Sequence, residues 1–420
     1  MRLVVNIRKE NFVVVALCIY FTSKLLWDLV VPHAIELVSL LLLGIGILLY
    51  FLKLAKERSG IMLAYLYTLL SLYVLINGIC QDSMPQLGRA IYEYVFYTAM
   101  CFACGYYLLD CDFRKCMQIV CWFGILIGIL SWYEYLSKSY LIGSFTNIIS
   151  FNGEEYGFRA AVFTRSYLSH GLVLGFFSLI AQYLYFSTRQ RKYFLGCIFL
   201  YLSILTTSSR GPLVATAGAL VLCAVLNAYR KSDRLKTKIV VMVAIGLVAI
   251  LVLWLLTSAF QTGNLTIDYF LYRIRQIINW SGEGGNVARI TIWKNSIELF
   301  NSNRVFGIGP SKTGSWGDGS VAVTESGYLK HLCELGVLGF FIYYLFVVFI
   351  LHCGASQYRR MAAEDKTDMI LFFGMIAMVM TDNLILQATE EIMVSFFLNF
   401  GLGGLLAADA REKIPIVEYA

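Results

Sequence analysis

Charged residues are scarce in this chain. Only 15% of its 420 residues are Asp, Glu, Lys or Arg, whereas soluble globular domains have about 25%. Hydrophobic residues make up 59%, and the mean hydropathy is +0.69. This balance excludes an ordinary soluble domain and predicts an all-α polytopic membrane protein. Basic residues in cytoplasmic loops orient membrane spans and explain the net charge of +7, so no nucleic-acid partner is predicted.

A set of metal ligands is also missing. Cys101 and Cys104 form a C-x2-C pair, but no second pair or histidine completes a zinc site. The cysteines lie mostly in apolar runs, where we expect small buried residues. We therefore predict neither a metal nor another cofactor. No cleavable signal peptide is expected, because the first apolar run is long enough to span and lacks a small-residue cleavage site.

Apolar runs of about 20 residues, the length that crosses a bilayer, recur about twelve times. The predicted spans are residues 12–31, 34–52, 61–79, 91–109, 117–136, 167–187, 193–209, 211–229, 239–258, 327–352, 368–386 and 391–408. The chain is thus divided into about nine spans over residues 1–258, a large loop over 259–326, and about three spans with a tail over 327–420.

The distribution of basic residues orients these spans. With the N-terminus in the cytoplasm, the inner segments contain 21 of the 34 Lys and Arg residues. Because basic loops stay in the cytoplasm, both termini are predicted there, and segments 137–166 and 259–326 are predicted outside. The second outer segment should contain two short amphipathic helices, near 267–278 and 290–300. The buried side of the second is predicted to carry Ile290, Trp293, Ile297 and Phe300.

Arginine is the unusual component of the outer segments, where the orientation rule disfavours basic residues. Its guanidinium presents a planar fork of donors that grips phosphate oxygens. We interpret four residues together as ligands of an anionic headgroup: Arg159, Arg165, Arg210 and Arg289. For each arginine alone, lipid anchoring or snorkelling is the alternative. Arg210 is the sharpest candidate, because an Arg between two spans is costly unless it has a partner.

Two residues could act as a general base at the start of the span that begins near 327. Glu325 could take a proton from a sugar hydroxyl, and His331 could do so instead. The alternative for Glu325 is a helix N-terminal carboxylate stabilised by the dipole, and His331 and Glu334 favour structural roles. Trp293 and Tyr328 are weak candidates for sugar stacking. Weaker candidates surround the last outer break: Asp382, Asn383, Glu390 and Glu391.

An ordered set of motifs resembles the O-antigen polymerase and O-antigen ligase superfamily of bacterial envelopes. In chain order the matching pieces are residues 207–211, Arg289-x3-Trp293, residues 305–310, and residues 325–329 continued by 334–339. Their placement around one large outer loop is also similar to the family.

The resemblance implies a metal-independent, GT-C-like membrane glycosyltransferase. Such enzymes use undecaprenyl-diphosphate-linked glycans at the outer face of the bacterial cytoplasmic (inner) membrane. Arg210 and Arg289 would hold the diphosphate. Ligases have His followed by Asn where this chain has Glu325 and Ser326, which favours a polymerase of O-antigen, capsule or exopolysaccharide repeats. Glu325 is then the base candidate, with His331 in reserve. A flippase and a chain-length regulator are the implied partners, besides the lipid bilayer.

Two other functions stay open. An O-antigen ligase has the same fold and differs only in its acceptor. A lipid-linked oligosaccharide flippase or other transporter would also explain about twelve spans and the arginines. A transporter should show paired halves and broken helices at the midplane. We find no such halves, and transport does not need a large outer loop.

Overall fold

The computed structural model describes residue 47 and the ranges 58–81, 83–108, 112–141, 149–151, 154–162, 164, 166–231, 284–314, 324–361 and 366–413. Several sequence predictions lie outside these residues: the spans 12–31 and 34–52 (except residue 47), the span 239–258, the amphipathic helix 267–278, and Arg165.

Most of the described residues are helical. The α-helices are α1 Arg58–Gln81, α2 Met84–Ala90, α3 Tyr97–Leu108, α4 Phe113–Ser137, α5 Tyr167–Thr188, α6 Arg191–Ser203, α7 Arg210–Lys231, α8 Gly284–Ser302, α9 Gly327–Arg360, α10 Lys366–Asp382 and α11 Ile392–Lys413. A π-helix, Ile91–Phe96, separates α2 from α3. Two 3-10 helices follow at Ile204–Thr207 and Ala388–Glu390.

Five of the described helices contain segments that are long and apolar enough to cross a membrane. These segments are Gly60–Gln81, Phe113–Ser137, Tyr167–Thr188, Arg210–Arg230 and Gly327–Arg360, and a shorter apolar stretch covers Met393–Ala408. Large apolar side chains on their outer sides are exposed, for example Ile76 and Ile119, as expected for surfaces that face lipid. The predicted helical membrane protein is confirmed, whereas the total of about twelve spans stays a prediction.

A small β-hairpin departs from the predicted all-α fold. Strands β1 Ile149–Phe151 and β2 Glu154–Gly157 pair antiparallel within the first outer segment. Strands this short carry too little alternation to stand out in the sequence. The only local signal is the Asn-Gly pair at residues 152–153, a combination that favours two-residue hairpin turns.

The chain divides into two compact units. The described residues of unit 1 lie within Met1–Cys116, Asn295–Ala362 and Gln387–Ala420. Those of unit 2 lie within Met117–Lys294 and Ala363–Leu386. In unit 1, α11 packs on α3, and α9 packs on α1 and α11. In unit 2, α5 packs on α6, α7 and α10, and α7 packs on α10. The domain boundaries expected near residues 258 and 326 stay predictions.

Small residues permit close helix packing within each unit. In unit 1, a Cβ on Gly403 would lie 2.5 Å from the Cys101 carbonyl oxygen and 2.7 Å from Cys104 Cβ. In unit 2, a Cβ on Gly374 would lie 2.3 Å from Cys223 Sγ. Such contacts need glycine on one helix and a small partner on the other. The interpretation of Cys101 and Cys104 as small buried residues is confirmed, since both are free and buried.

Helix α8 confirms that a helix covers the predicted segment 290–300, but not the predicted buried side. Ile297 is 47% exposed, whereas Ser296 is buried. The Ser296 carbonyl accepts a hydrogen bond from Cys333 Sγ at 3.2 Å, so a small residue lies against the neighbouring segment. The prediction that Ile297 is buried was wrong. The spacing of apolar residues along a helix does not reveal a contact that is made by the backbone and a small residue.

Candidate functional site

The predicted site residues are distributed over both units. Unit 2 contains Arg159, Arg210, Arg289 and Trp293, and unit 1 contains Glu325, Tyr328 and His331. Each group is described within its own unit.

Arg210 begins helix α7 directly after a tight turn in unit 2. The preceding 3-10 helix ends at Ser208, whose φ of 52° lies in the left-handed region. The Thr207 hydroxyl accepts a hydrogen bond from the Ser209 N–H at 3.2 Å. Side-chain hydroxyls commonly close turns in this way. The turn therefore fixes the start of the helix and with it the position of Arg210.

Asp382, the last residue of α10, lies beside the start of α7 in unit 2. A Cβ on Gly211 would lie 2.7 Å from Asp382 Oδ1, so the start of α7 touches this carboxylate. Trp293 lies one turn after Arg289 on the same side of α8. The structure thus brings the helix that begins at Arg210 to one acidic residue.

The loop that carries Arg159 is fixed by a buried glutamate that the sequence analysis missed. The Glu134 carboxylate accepts hydrogen bonds from the N–H groups of Leu141, Ala161 and Val162, at 2.9, 3.0 and 2.9 Å. The Ala160 N–H donates to the Thr206 carbonyl at 3.0 Å, which ties this loop to the segment before Arg210. A lone acidic residue in an apolar span was the available signal for Glu134.

Arg159 itself lies over an aromatic ring. Its guanidinium carbon is 4.2 Å from the centroid of the Tyr167 ring, a typical cation–π geometry. This contact orients the guanidinium at the start of α5. The described residues of unit 2 therefore include Arg159, Arg210 and Arg289 of the four arginines chosen from the sequence.

In unit 1, the segment Val305–Gly309 pairs through its backbone with a break in helix α9. Gly336 interrupts the helix with φ 62° and ψ −175°. Four backbone N–H groups donate to carbonyl oxygens. The pairs are Ile308 to Cys333 at 2.8 Å, Gly309 to Glu334 at 3.2 Å, Val337 to Arg304 at 2.8 Å, and Leu338 to Val305 at 3.3 Å. Two motifs that are separate in the sequence, residues 305–310 and 334–339, therefore form one structural feature.

Replacing Gly307 with alanine is expected to destabilise this pairing. Gly307 has φ 73°, and a Cβ there would lie 2.3 Å from the Glu334 carbonyl oxygen. The left-handed conformation alone costs a non-glycine residue about 1–3 kcal/mol, and the backbone clash adds to this cost. Thermal unfolding of the purified protein in detergent measures the loss. The control is Gly88→Ala in helix α2, where a Cβ would meet nothing within 4 Å. Equal melting temperatures for the two variants would contradict the pairing.

The Glu334 carboxylate holds the residues that follow this segment. It accepts hydrogen bonds from the Ser311 N–H at 2.9 Å, the Thr313 N–H at 2.8 Å and the Thr313 hydroxyl at 2.6 Å. The Tyr94 hydroxyl donates to it as well. A buried carboxylate with this many donors is fully satisfied. The structural role expected for Glu334 therefore agrees with its contacts.

Lys330 brings three carboxylates together, of which those of Glu334 and Glu390 are buried. Its Nζ lies 2.7 Å from Glu93 Oε1 and 3.8 Å from Glu334 Oε1, and it also donates to Glu390. Lys330 is completely buried. Glu93 lies in the π-helix, an irregularity that is frequent at functional sites. The sequence analysis passed over Glu93 and Lys330, although ionisable residues inside apolar spans are the signal that finds such clusters.

The two base candidates occupy different environments in unit 1. His331 is buried, its Nδ1 is 3.0 Å from the Tyr344 hydroxyl, and its ring centroid is 4.8 Å from that of Tyr343. Glu325 is partly exposed and has φ 50°, two residues before the first residue of α9. Tyr328 stacks on Tyr344 at 5.5 Å. Glu325 therefore has the more accessible side chain of the two candidates.

Comparison with known families adds to this geometry. Residues 195–344 match the family model described as O-antigen ligase. A search of the curated proteins found no match. The matched residues include Arg210, Arg289, Glu325 and His331, together with the paired segments around Gly307 and Gly336. Over residues 195–344 the match therefore supports the resemblance to the O-antigen polymerase and ligase superfamily.

Proposed function

We propose that this protein is a polysaccharide polymerase that joins undecaprenyl-diphosphate-linked oligosaccharide repeats at the outer face of the bacterial cytoplasmic membrane. The observation that carries the proposal is the match of residues 195–344 to the family model described as O-antigen ligase, a range that contains Arg210 and Arg289. Two arginines suit a diphosphate, since each can bind phosphate oxygens with its fork of donors. The family match supports the same reaction class.

The proposed reaction is a single displacement. The acceptor hydroxyl attacks the anomeric carbon, whose bond to the diphosphate oxygen breaks, and the electron pair leaves with the lipid diphosphate. Arg210 and Arg289 stabilise the charge that develops on this leaving group. In unit 1, Glu325 is the candidate base from the family resemblance, and such a base takes the hydroxyl proton as the new bond forms. Attack opposite the leaving group inverts the anomeric centre, and the diphosphate bond supplies the energy, so the reaction as written uses neither a metal nor a nucleotide.

An O-antigen ligase is the second candidate, because the matching family model carries that description. The pair Glu325 and Ser326, where ligases have His and Asn, favours the polymerase. A transporter is less well supported. The break in α9 at Gly336 is filled by the backbone of residues 304–309. A flippase and a chain-length regulator remain proposed partners, and both termini are proposed to be cytoplasmic.

Purified protein in lipid vesicles tests the proposal with lipid-diphosphate-linked repeats as the only substrate. A polymerase converts single repeats into a ladder of longer lipid-linked chains. A ligase leaves the repeats unchanged until a capped-lipid acceptor is added. Unchanged repeats under both conditions would contradict the proposed activity.

Exchanging Glu325 for glutamine tests the role of the base. We expect chain extension to slow by about 100-fold or more, the usual contribution of a positioned base. Glu298→Gln is the matched control, because Glu298 is exposed on helix α8. Full activity of the Glu325 variant, with an inactive His331→Ala variant, would move the role of the base to His331.

A further inference from the structure

Two large apolar side chains are exposed in the segment that follows helix α8 in unit 1. Val305 is 58% exposed and Phe306 is 57% exposed. Neither residue lies in a helix or a strand. Single exposed apolar side chains are common on proteins, whereas a continuous apolar patch marks an interaction surface. The neighbours of this pair therefore decide what it means.

The exposed pair continues an apolar stripe along helix α9. The Leu338 N–H donates to the Val305 carbonyl at 3.3 Å, so the segment and the helix are adjacent. The large apolar residues that are exposed on this side of α9 are Val337, Leu338, Phe341, Leu345 and Val348. Their spacing of three or four residues places them on one side of the helix. Because Gly327–Arg360 is long and apolar enough to cross a membrane, this stripe faces lipid.

The length of α9 sets the depth of the pair in the membrane. Arg359 and Arg360 end the helix, and basic side chains at the end of a span lie at the headgroups. At about 1.5 Å per residue, the stretch from Val337 to Arg360 is about 36 Å long. The hydrocarbon core of a bilayer is about 30 Å thick. With the two arginines at one surface, the pair beside Val337 lies at the opposite boundary of the hydrocarbon core.

The backbone of the segment meets the condition for lying at this depth. Non-helical backbone is tolerated there only where the protein satisfies its polar groups. Two carbonyls of the segment accept N–H groups of α9, and the Phe306 carbonyl accepts a hydrogen bond from Asn77 Nδ2 at 2.8 Å. Beside the break in α9, the Leu335 carbonyl accepts one from the Tyr73 hydroxyl at 2.5 Å. The polar backbone therefore faces α1 and α9, and the two apolar side chains remain outside.

We infer that Val305 and Phe306 insert into one leaflet of the membrane and contact its lipid chains. The partner is bilayer lipid, because the pair is continuous with the lipid-facing stripe of a membrane span. Arg304 directly precedes the pair and is exposed, and its long side chain can reach the headgroups while the pair lies deeper. The segment thus anchors part of the predicted loop 259–326 at the membrane surface, whichever reaction the protein catalyses.

A photoreactive residue at position 306 tests this contact. Benzoylphenylalanine replaces Phe306, and the purified protein is irradiated in phosphatidylcholine vesicles. We expect a covalent phospholipid adduct on the peptide that contains residue 306, detected by mass spectrometry. The yield should be similar to that from the same replacement at Phe341, which is exposed on α9. Ser302 is the matched control, because it is exposed at the end of α8 and should give no such adduct.

Two results would overturn the inference. A yield at position 306 as low as that at Ser302 would show that the pair lies in water. A crosslink from position 306 to another part of the chain, in place of the lipid adduct, would show that protein covers the pair.

A second variant tests whether the pairing with α9 holds the anchor in the membrane. Gly336→Ala places a Cβ 2.3 Å from the Val305 carbonyl oxygen, so the segment must move away from the helix. We expect loss of the adduct at position 306, whereas the adduct at Phe341 persists because the span remains in the membrane. If this variant does not fold, Asn77→Ala removes the donor to the Phe306 carbonyl more mildly. An unchanged adduct at position 306 in the folded variant would contradict the role of the pairing.

Discussion

Replacing Arg289 with alanine is expected to abolish long polysaccharide chains while the protein remains in the membrane. The guanidinium is proposed to stabilise the charge that develops on the departing diphosphate, and one such group contributes about 100- to 1000-fold to a rate. Arg289→Lys keeps the charge but loses the planar fork, so we expect it to restore only part of the activity. Extension by the purified variants in vesicles measures the rate directly.

Arg304→Ala is the matched control for Arg289. Arg304 is exposed just after helix α8, and its Nε donates to Asn301 Oδ1 at 3.1 Å. Its removal tests whether any outer arginine supports extension by attracting the anionic lipid. Equal losses from both variants would indicate a general charge effect, and normal chain length from Arg289→Ala would contradict the diphosphate role.

Replacing Lys330 with methionine is expected to cause the largest loss of stability. The substitution removes the only cation in contact with Glu93, Glu334 and Glu390 among the described residues. Breaking a buried ion pair by removing one partner typically costs about 3–5 kcal/mol, because the remaining charge is left unpaired. Thermal unfolding in detergent should show a lower melting temperature, and the segment Ser311–Gly314 should become accessible to proteases.

An exposed ion pair provides the control for this prediction. Lys115 Nζ lies 2.8 Å from Asp112 Oδ2 on the surface. Such pairs contribute little to stability, so Lys115→Met should unfold at the wild-type temperature. A double variant, Lys330→Met with Glu390→Gln, should recover part of the loss because one unpaired carboxylate is removed. A Lys330→Met protein as stable as wild type would show that the cluster does not support the fold.

The spans were the part of the fold that the sequence predicted best. Nine of the predicted spans fall on described helices, because a continuous apolar run of the right length has few alternatives. The π-helix at Ile91–Phe96 and the break in α9 at Gly336 were not predicted. Both are local departures from helix geometry that apolar periodicity does not encode. The hairpin of β1 and β2 was missed for the same reason.

Residue chemistry identified the arginines, but only the structure shows what surrounds them. An arginine fork suits phosphate wherever it occurs, so residue type alone selected Arg210 and Arg289, and their role as phosphate ligands stays a prediction. Asp382 stood only among the weak candidates, since its burial and its lack of donors depend on how α7 and α10 pack. The pairing of Gly307 with Gly336 is likewise non-local, and the motif order alone could not show that the two segments are hydrogen-bonded.

The central claim is most directly tested by the polysaccharide profile of cells that lack this chain, resolved by size beside their extracted lipid-linked glycans. A polymerase predicts that long chains disappear while single repeats persist on the lipid or at the surface. Long chains retained on the undecaprenyl carrier would contradict this account in favour of a ligase. Loss of all outer-face lipid-linked repeats would contradict it in favour of a transporter.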